Sequence, residues 1–295
     1  MSYLPILLGA LTAFCWGTSD YLSRSSSLKV GSYRTTVYMH VVSIATLLVL
    51  LPILNPALNL STTNTLVLFI VGAVNFFAFI FLYRGFHRGV VSVVAPIAYS
   101  YPAITTVLAV LLLGTMLTSM SILALLAIMI GVALVSTRFS ELHRYAQGRG
   151  LLKLTPGVGS AVLSASSFGA VYVGIGYVTP FVGYFVPPLF LRVLGGLFGF
   201  LFAPILKQNV KPDRHSINLV IVVMGVLETI GLLSFNLGIS FGSSSLPIVA
   251  ALSGMGGAFA ISYAMFFLRE KLEANQIIGI LLSLTGVFVL LYFTS

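Results

Sequence analysis

Glu228 sits in the run GVLETIGLL (225–233), with apolar neighbours on both sides and no basic residue at i±3 or i±4. A carboxyl group in such surroundings loses its hydration, which penalises the charged form. It could bind a substrate or carry a proton, and the alternative is a hydrogen-bonded structural residue. Asp20 is a weaker candidate because Arg24 follows at i+4, the spacing of a helical surface ion pair, so a structural role comes first. His40 could bind substrate or relay protons, although a lone histidine near a helix end is more often hydrogen-bonded structure. Arg192 is the one basic residue inside an apolar run. It either snorkels to the interface with its stem in lipid or anchors a substrate carboxylate through its paired donors. Trp16, Tyr99, Tyr101, Tyr172 and Tyr263 lie near small residues or prolines. They could line a cavity that stacks on planar or cationic compounds, or they could simply pack.

The elements that must position these residues are written in the composition. Of 295 residues, 58% are hydrophobic and 7% charged, with a mean hydropathy of +1.09. Charged residues usually make up about a quarter of a soluble chain. A soluble enzyme, a disordered chain and a free nucleic-acid binder are therefore excluded, despite the net charge of +9. The single Cys15 cannot close an intrachain disulfide, and no Cys/His cluster has metal-ligand spacing. No basic region precedes the first apolar run and no small-residue cleavage site follows it, so that run is expected to be retained as a helix.

A membrane span needs about 20 mostly apolar residues. Ten stretches qualify: 4–23, 35–54, 65–84, 90–113, 119–137, 156–178, 183–205, 216–237, 244–267 and 274–293. The expected fold is an all-α integral membrane protein with ten transmembrane helices. The longest connection, 138–155, carries Arg138, Glu141, His143, Arg144, Arg149 and Lys153 and divides the chain into units 1–137 and 156–295.

The two units look like copies. AFCWG (13–17) aligns with ASSFG (165–169) at an offset of 152, and Gly72, Asn75, Gly85 and Gly89 fall on Gly225, Glu228, Gly238 and Gly242 at 153. LLLGTMLT (111–118) aligns with FFLREKLE (266–273), and Gly131 with Gly286, both at 155. Asn75 is thereby the mate of Glu228, and the two are expected to face one another across the symmetry axis. Tyr172 is the approximate mate of Asp20, and Arg34 the expected mate of Arg192. Five spans per unit is an odd number, so the second unit must run inverted relative to the first, an arrangement that places a shared site near the bilayer midplane. The segments APIAYSYP (95–102) and SSSLPIVAALSGMGG (243–257) occupy equivalent places. They are expected to be bent or locally unwound, which marks either a binding site or a simple kink.

The Trp16-Gly17 pair, the run LYRGFHRGVVSVVAPIAYSYPAITTVLAVLLLG (82–114) and its second-half partner SFNLGISFGSSSLPIVAALSGMGGAFAISYAMFFLREKLEANQIIGILLSLTGVFVLL (234–291) together resemble the drug/metabolite transporter superfamily, in its ten-helix EamA type. The resemblance covers essentially the whole chain. Gly114-Thr115-Met116-Leu117 departs from the charged turn common in that family, and Phe168 stands where a tryptophan is common. The resemblance implies a multi-pass transporter of small metabolites, amino acids or drug-like compounds, most often outward. It carries no catalytic motif to transfer.

Fourteen of the fifteen Lys and Arg residues fall in alternate connections: Arg24, Lys29, Arg34, Arg84, Arg88, Arg138, Arg144, Arg149, Lys153, Lys207, Lys211, Arg214, Arg269 and Lys271. By the positive-inside rule those connections are cytoplasmic, and both termini lie on the opposite side of a cell membrane. Many relatives are expected to have both termini inside, and the chain's own charge bias is followed here. No nucleophile, base and orienting group occur together, and there is no HExxH or P-loop. Two readings remain: a secondary carrier exporting metabolites by alternating access, with proton exchange through Glu228, and a non-transporting scaffold or membrane-embedded enzyme. No cofactor and no metal are expected. The expected partners are the lipid bilayer and a small-molecule substrate, with a homodimer left open and no nucleic acid.

Overall fold

The computed structural model describes residues 3–56, 60–89, 91–136, 139, 156–211, 217–242, 244–268 and 273–293. These form twelve helices: α1 (Leu4–Val30), α2 (Ser32–Leu54), α3 (Thr62–Arg88), α4 (Val91–Ala98), α5 (Tyr101–Leu113), α6 (Ser119–Ser136), α7 (Val158–Val182), α8 (Val186–Ile205), α9 (Leu219–Ile239), α10 (Ser245–Ser253), α11 (Gly256–Leu268) and α12 (Ala274–Phe293). Each apolar stretch of the sequence maps onto one helix, except 90–113 and 244–267, which each form two. The first helix runs past its expected end at residue 23 to Val30, taking in Arg24 and Lys29. Apart from Phe139, the basic connection 138–155 lies outside the described residues, as do Arg214, Arg269 and Lys271.

Local chemistry repeats between the halves. The α1–α2 and α7–α8 turns pivot on Gly31 (φ 90°) and Gly183 (φ 80°), 152 residues apart, where a side chain would be strained. The equivalent helices α3 and α9 both begin with a side-chain cap: Ser61 accepts from the Asn64 amide and Asn218 from the Ile221 amide. The fourth stretch breaks at Tyr99–Ser100, where Pro102 brings no amide hydrogen to the helix. The ninth breaks at Gly254–Met255, with Gly256 and Gly257 standing where the first half has Tyr101 and Pro102. Both segments expected to be interrupted are interrupted.

Packing respects the same exchange. α1 lies against α9 as α7 lies against α3, and α3 against α8 as α2 against α9, while α6 pairs with its own counterpart α12. In that last pair Gly131 meets Gly279 and Ser283, and Gly286 meets Ala124 and Ile128, every residue being 155 from its image. Apolar side chains gain nothing by leaving lipid for one another, so close approach over small residues is what holds such helices together.

The outer surface is apolar. Leu7, Ile53, Leu111, Leu112, Leu197 and Ile205 are all exposed, a surface that water does not tolerate and lipid does. Helices α2, α3, α7, α8 and α9 are long and apolar enough to cross a membrane by themselves.

Candidate functional site

A cavity with an empty volume of about 350 Å³ opens between the halves. Its walls are Trp16 and Asp20 of α1, Phe79 and Leu82 of α3, Ala98 and Tyr99 at the end of α4, Tyr101 of α5, Phe168 and Tyr172 of α7, and Glu228 of α9. Six residues singled out from sequence thus converge on one space: Trp16, Asp20, Tyr99, Tyr101, Tyr172 and Glu228. The rings are continuous. Trp16 stacks on Tyr172 at 5.5 Å and on Phe235 at 5.6 Å, Phe168 stacks on Tyr172 at 5.8 Å, and Tyr101 lies 5.0 Å from Tyr172.

Glu228 is not alone. Arg192 of α8 places Nη2 at 2.9 Å from Glu228 Oε2 and donates from the same nitrogen to the Glu228 carbonyl at 3.2 Å. The guanidinium also lies over the Phe79 ring, 5.2 Å from its centroid. The Ser19 hydroxyl neighbours Glu228 and the Tyr83 hydroxyl. Arg192 is 1% exposed, so it does not snorkel. A carboxylate at the same depth on the next helix gives it a better partner than the distant interface. Helical spacing could not reveal this pair, because the two residues lie 36 apart on different helices.

Asp20 also departs from expectation. No ion pair joins it to Arg24; instead the Tyr99 hydroxyl donates to Asp20 Oδ2 at 2.7 Å. Asp20 is buried, on the inner face of α1, whereas Arg24 is exposed. Residues Tyr99 and Tyr101 flank the break between α4 and α5, and Tyr101 Oη lies 2.7 Å from Ser253 Oγ, the last residue before the break in the other half. The two interruptions therefore meet at the cavity.

The remaining candidates lie off the cavity wall. His40 Nδ1 is 2.8 Å from the Thr36 carbonyl, and its ring meets Phe79 edge-on at 5.3 Å. Asn75 is buried with its amide nitrogen unpartnered, and among the described residues no hydrogen bond joins it to Glu228. Tyr263 packs on Tyr21 and is within 3.1 Å of the Thr18 hydroxyl, away from the cavity. Arg34 is not the mate of Arg192. Gly72 meets Leu194 and Gly225 meets Val42, an exchange that sets the α2-to-α8 offset at 152 and puts His40 in the place of Arg192. The buried ion pair Arg192–Glu228 thus has a neutral image, His40 and Asn75. Phe79, Leu82, Ala98, Ser19 and Ser253 carried no signal in the sequence beyond being ordinary residues of apolar runs. Among the described residues no group of three His, Cys, Asp or Glu side chains could hold a metal ion.

These features define a class: a multi-pass helical membrane protein of two related halves enclosing a polar, aromatic-walled cavity. The chain belongs to the EamA-like transporter family, whose model matches residues 3–137 and 155–292, within the drug/metabolite transporter superfamily. A comparison with curated proteins finds no match. A solved crystal structure of a protein aligns with a TM-score of 0.74 at 16% identity, covering 99% of this chain and 98% of the other, a likeness of fold alone.

Proposed function

We propose that the protein is a secondary transporter that exports small metabolites, such as amino acids or drug-like compounds, by alternating access with proton exchange. In this reading the ten apolar stretches cross a cell membrane as two inverted five-helix repeats, 1–137 and 156–295, joined by the basic connection 138–155. The charged connections face the cytoplasm and both termini the opposite side.

The observation that carries the reading is the cavity between the halves, where Asp20 and Glu228 are buried together and two interrupted helices meet. Buried carboxyl groups at membrane depth are costly and mark substrate or proton pathways. Interrupted helices at the interface of related halves are the usual setting of such sites. The test is efflux from loaded proteoliposomes. Flux that collapses when the proton gradient is dissipated supports the proposal, and the absence of flux for every metabolite class refutes it. Glu228→Gln is expected to abolish or uncouple pH-driven flux.

A further inference from the structure

A second hollow lies at the end of the bundle where α1 and α3 finish and α2 begins, with an empty volume of about 1270 Å³. Arg34 of α2, Arg84, His87 and Arg88 of α3, and Leu206 and Asn209 just beyond α8 are among its lining residues. Three guanidinium groups from two helices thus share one space. Arg84 and Arg88 stand four residues apart on α3, side by side on one face, where like charges repel. The carboxyl end of a helix favours cations, but among the described residues the wall holds no Asp or Glu to offset them. Among the same residues no hydrogen bond or ion pair engages the Arg84 or Arg88 side chain.

The walls are tied to one another by other groups. His87 Nδ1 donates to the Ser27 carbonyl at 3.2 Å, which fixes the last turn of α3 to α1. Arg34 donates to the Lys211 carbonyl at 3.0 Å and the Tyr38 hydroxyl to the Val210 carbonyl at 2.8 Å, which fix the segment after α8 to α2. The hollow is therefore braced without using Arg84 or Arg88. Its charge is also not a consequence of the duplicated fold. At the offsets of 152 and 153 that relate the halves, Arg34, Arg84 and Arg88 fall on Val186, Leu237 and Phe241. An orientation signal needs basic residues in these connections. It does not need them gathered around one hollow.

We propose that this hollow binds the phosphate group of an acidic phospholipid, with Arg84 and Arg88 as its direct donors and Arg34 adding charge from α2. A guanidinium presents a planar fork of donors that matches two phosphate oxygens at once. The surroundings favour a lipid over a soluble phosphate. Leu206 lines the hollow and is itself exposed, and the exposed Ile205 and Leu28 continue the apolar surface beside it, so acyl chains have a path along the helices. Basic pockets between membrane helices recognise acidic headgroups by this combination. No residue lines both this hollow and the cavity between the halves, so the lipid site stands whether or not the transport reading holds.

Purified full-length protein in an uncharged detergent is titrated with dioleoylphosphatidylglycerol, dioleoylphosphatidylcholine and the soluble headgroup glycerophosphoglycerol, and its melting temperature is followed. A ligand that binds only the folded form raises that temperature. A saturable rise is expected with phosphatidylglycerol alone. The double variant Arg84→Gln, Arg88→Gln is expected to need at least about tenfold more of that lipid for the same rise. The control Arg24→Gln, Lys29→Gln removes the same charge from exposed positions outside the hollow and keeps the native response. An equal rise with phosphatidylcholine overturns the proposal. So does an equal loss in the two double variants, which would mean diffuse charge attraction rather than a site. A rise with glycerophosphoglycerol matching that with the lipid assigns the hollow to soluble phosphates and overturns the lipid assignment. The comparison of the three ligands on the native chain decides even if a variant fails to fold.

Discussion

The Tyr101 hydroxyl lies 2.7 Å from the Ser253 hydroxyl, and this contact joins the interruption in one half of the molecule to the interruption in the other. Both groups are buried, so each is the other's replacement for water. A hydrogen bond of this kind contributes about 0.5–1.5 kcal/mol net. Tyr101→Phe and Ser253→Ala are each expected to lower stability by about that amount, and the double variant by less than the sum. Thermal or denaturant unfolding of the four proteins in detergent checks this, and full additivity would remove the link between the two breaks.

Arg192 and Glu228 form a buried pair whose members are costly apart. Arg192→Ala or Glu228→Ala leaves an uncompensated charge, and each should destabilise by about 3–5 kcal/mol. Replacing both with Met restores packing without charge and should recover much of that loss. The comparison is made by unfolding in detergent, and a double variant no better than the singles would mean that the pair is not the source of the effect.

Gly31 and Gly183 hold the same backbone conformation in the two halves, a positive φ with an extended ψ. Gly31→Val and Gly183→Val should each cost on the order of 1–3 kcal/mol, from the clash of Cβ with the backbone at a positive φ and extended ψ. Open space surrounds Gly31, so its penalty reads backbone strain alone. The measurement is the loss in unfolding free energy for each variant, and the absence of any loss at Gly31 would refute the strain argument.

Gly131 and Gly286 allow α6 and α12 to touch along their backbones. A leucine at either position must force the helices apart, with an expected cost of about 1–3 kcal/mol. Because the two sites are images of one another, Gly131→Leu and Gly286→Leu should destabilise by similar amounts. A large difference in their unfolding temperatures would argue against the symmetric packing.

The proposed orientation rests on fourteen basic residues that the sequence places at or beside alternate connections. An alkaline phosphatase reporter fused after Ser295 is expected to be active, because that enzyme works only outside the cytoplasm. A cytoplasmic reporter active at the same position, with phosphatase silent, reverses the orientation.

Much of the architecture was legible because hydropathy and repeats are local properties of a chain. The apolar stretches became helices close to their expected bounds, and the repeated Pro and Gly punctuation marked both interruptions. Trp16, Asp20, Tyr99, Tyr101, Tyr172 and Glu228 could each be picked out by residue type, as polar or aromatic groups amid apolar neighbours.

Their grouping was not legible in the same way. Which side chains meet depends on the depth and rotation of each helix about its axis, and helices apolar on every side carry little amphipathic signal to set that rotation. Sequence spacing therefore offered Arg24 to Asp20 and no partner to Glu228, whereas the folded chain gives Asp20 to Tyr99 and Glu228 to Arg192. The same uncertainty let Arg34 stand as the image of Arg192 until the Gly72–Leu194 and Gly225–Val42 contacts put His40 there, and it left Tyr263 among the cavity candidates although it packs outside. The sequence by itself determined a duplicated, helical membrane chain with few polar groups in its apolar runs. Only the tertiary structure decided which of those groups pair with one another and that the Asp20 and Glu228 carboxyl groups share one cavity, because pairing at membrane depth is settled by distances between helices.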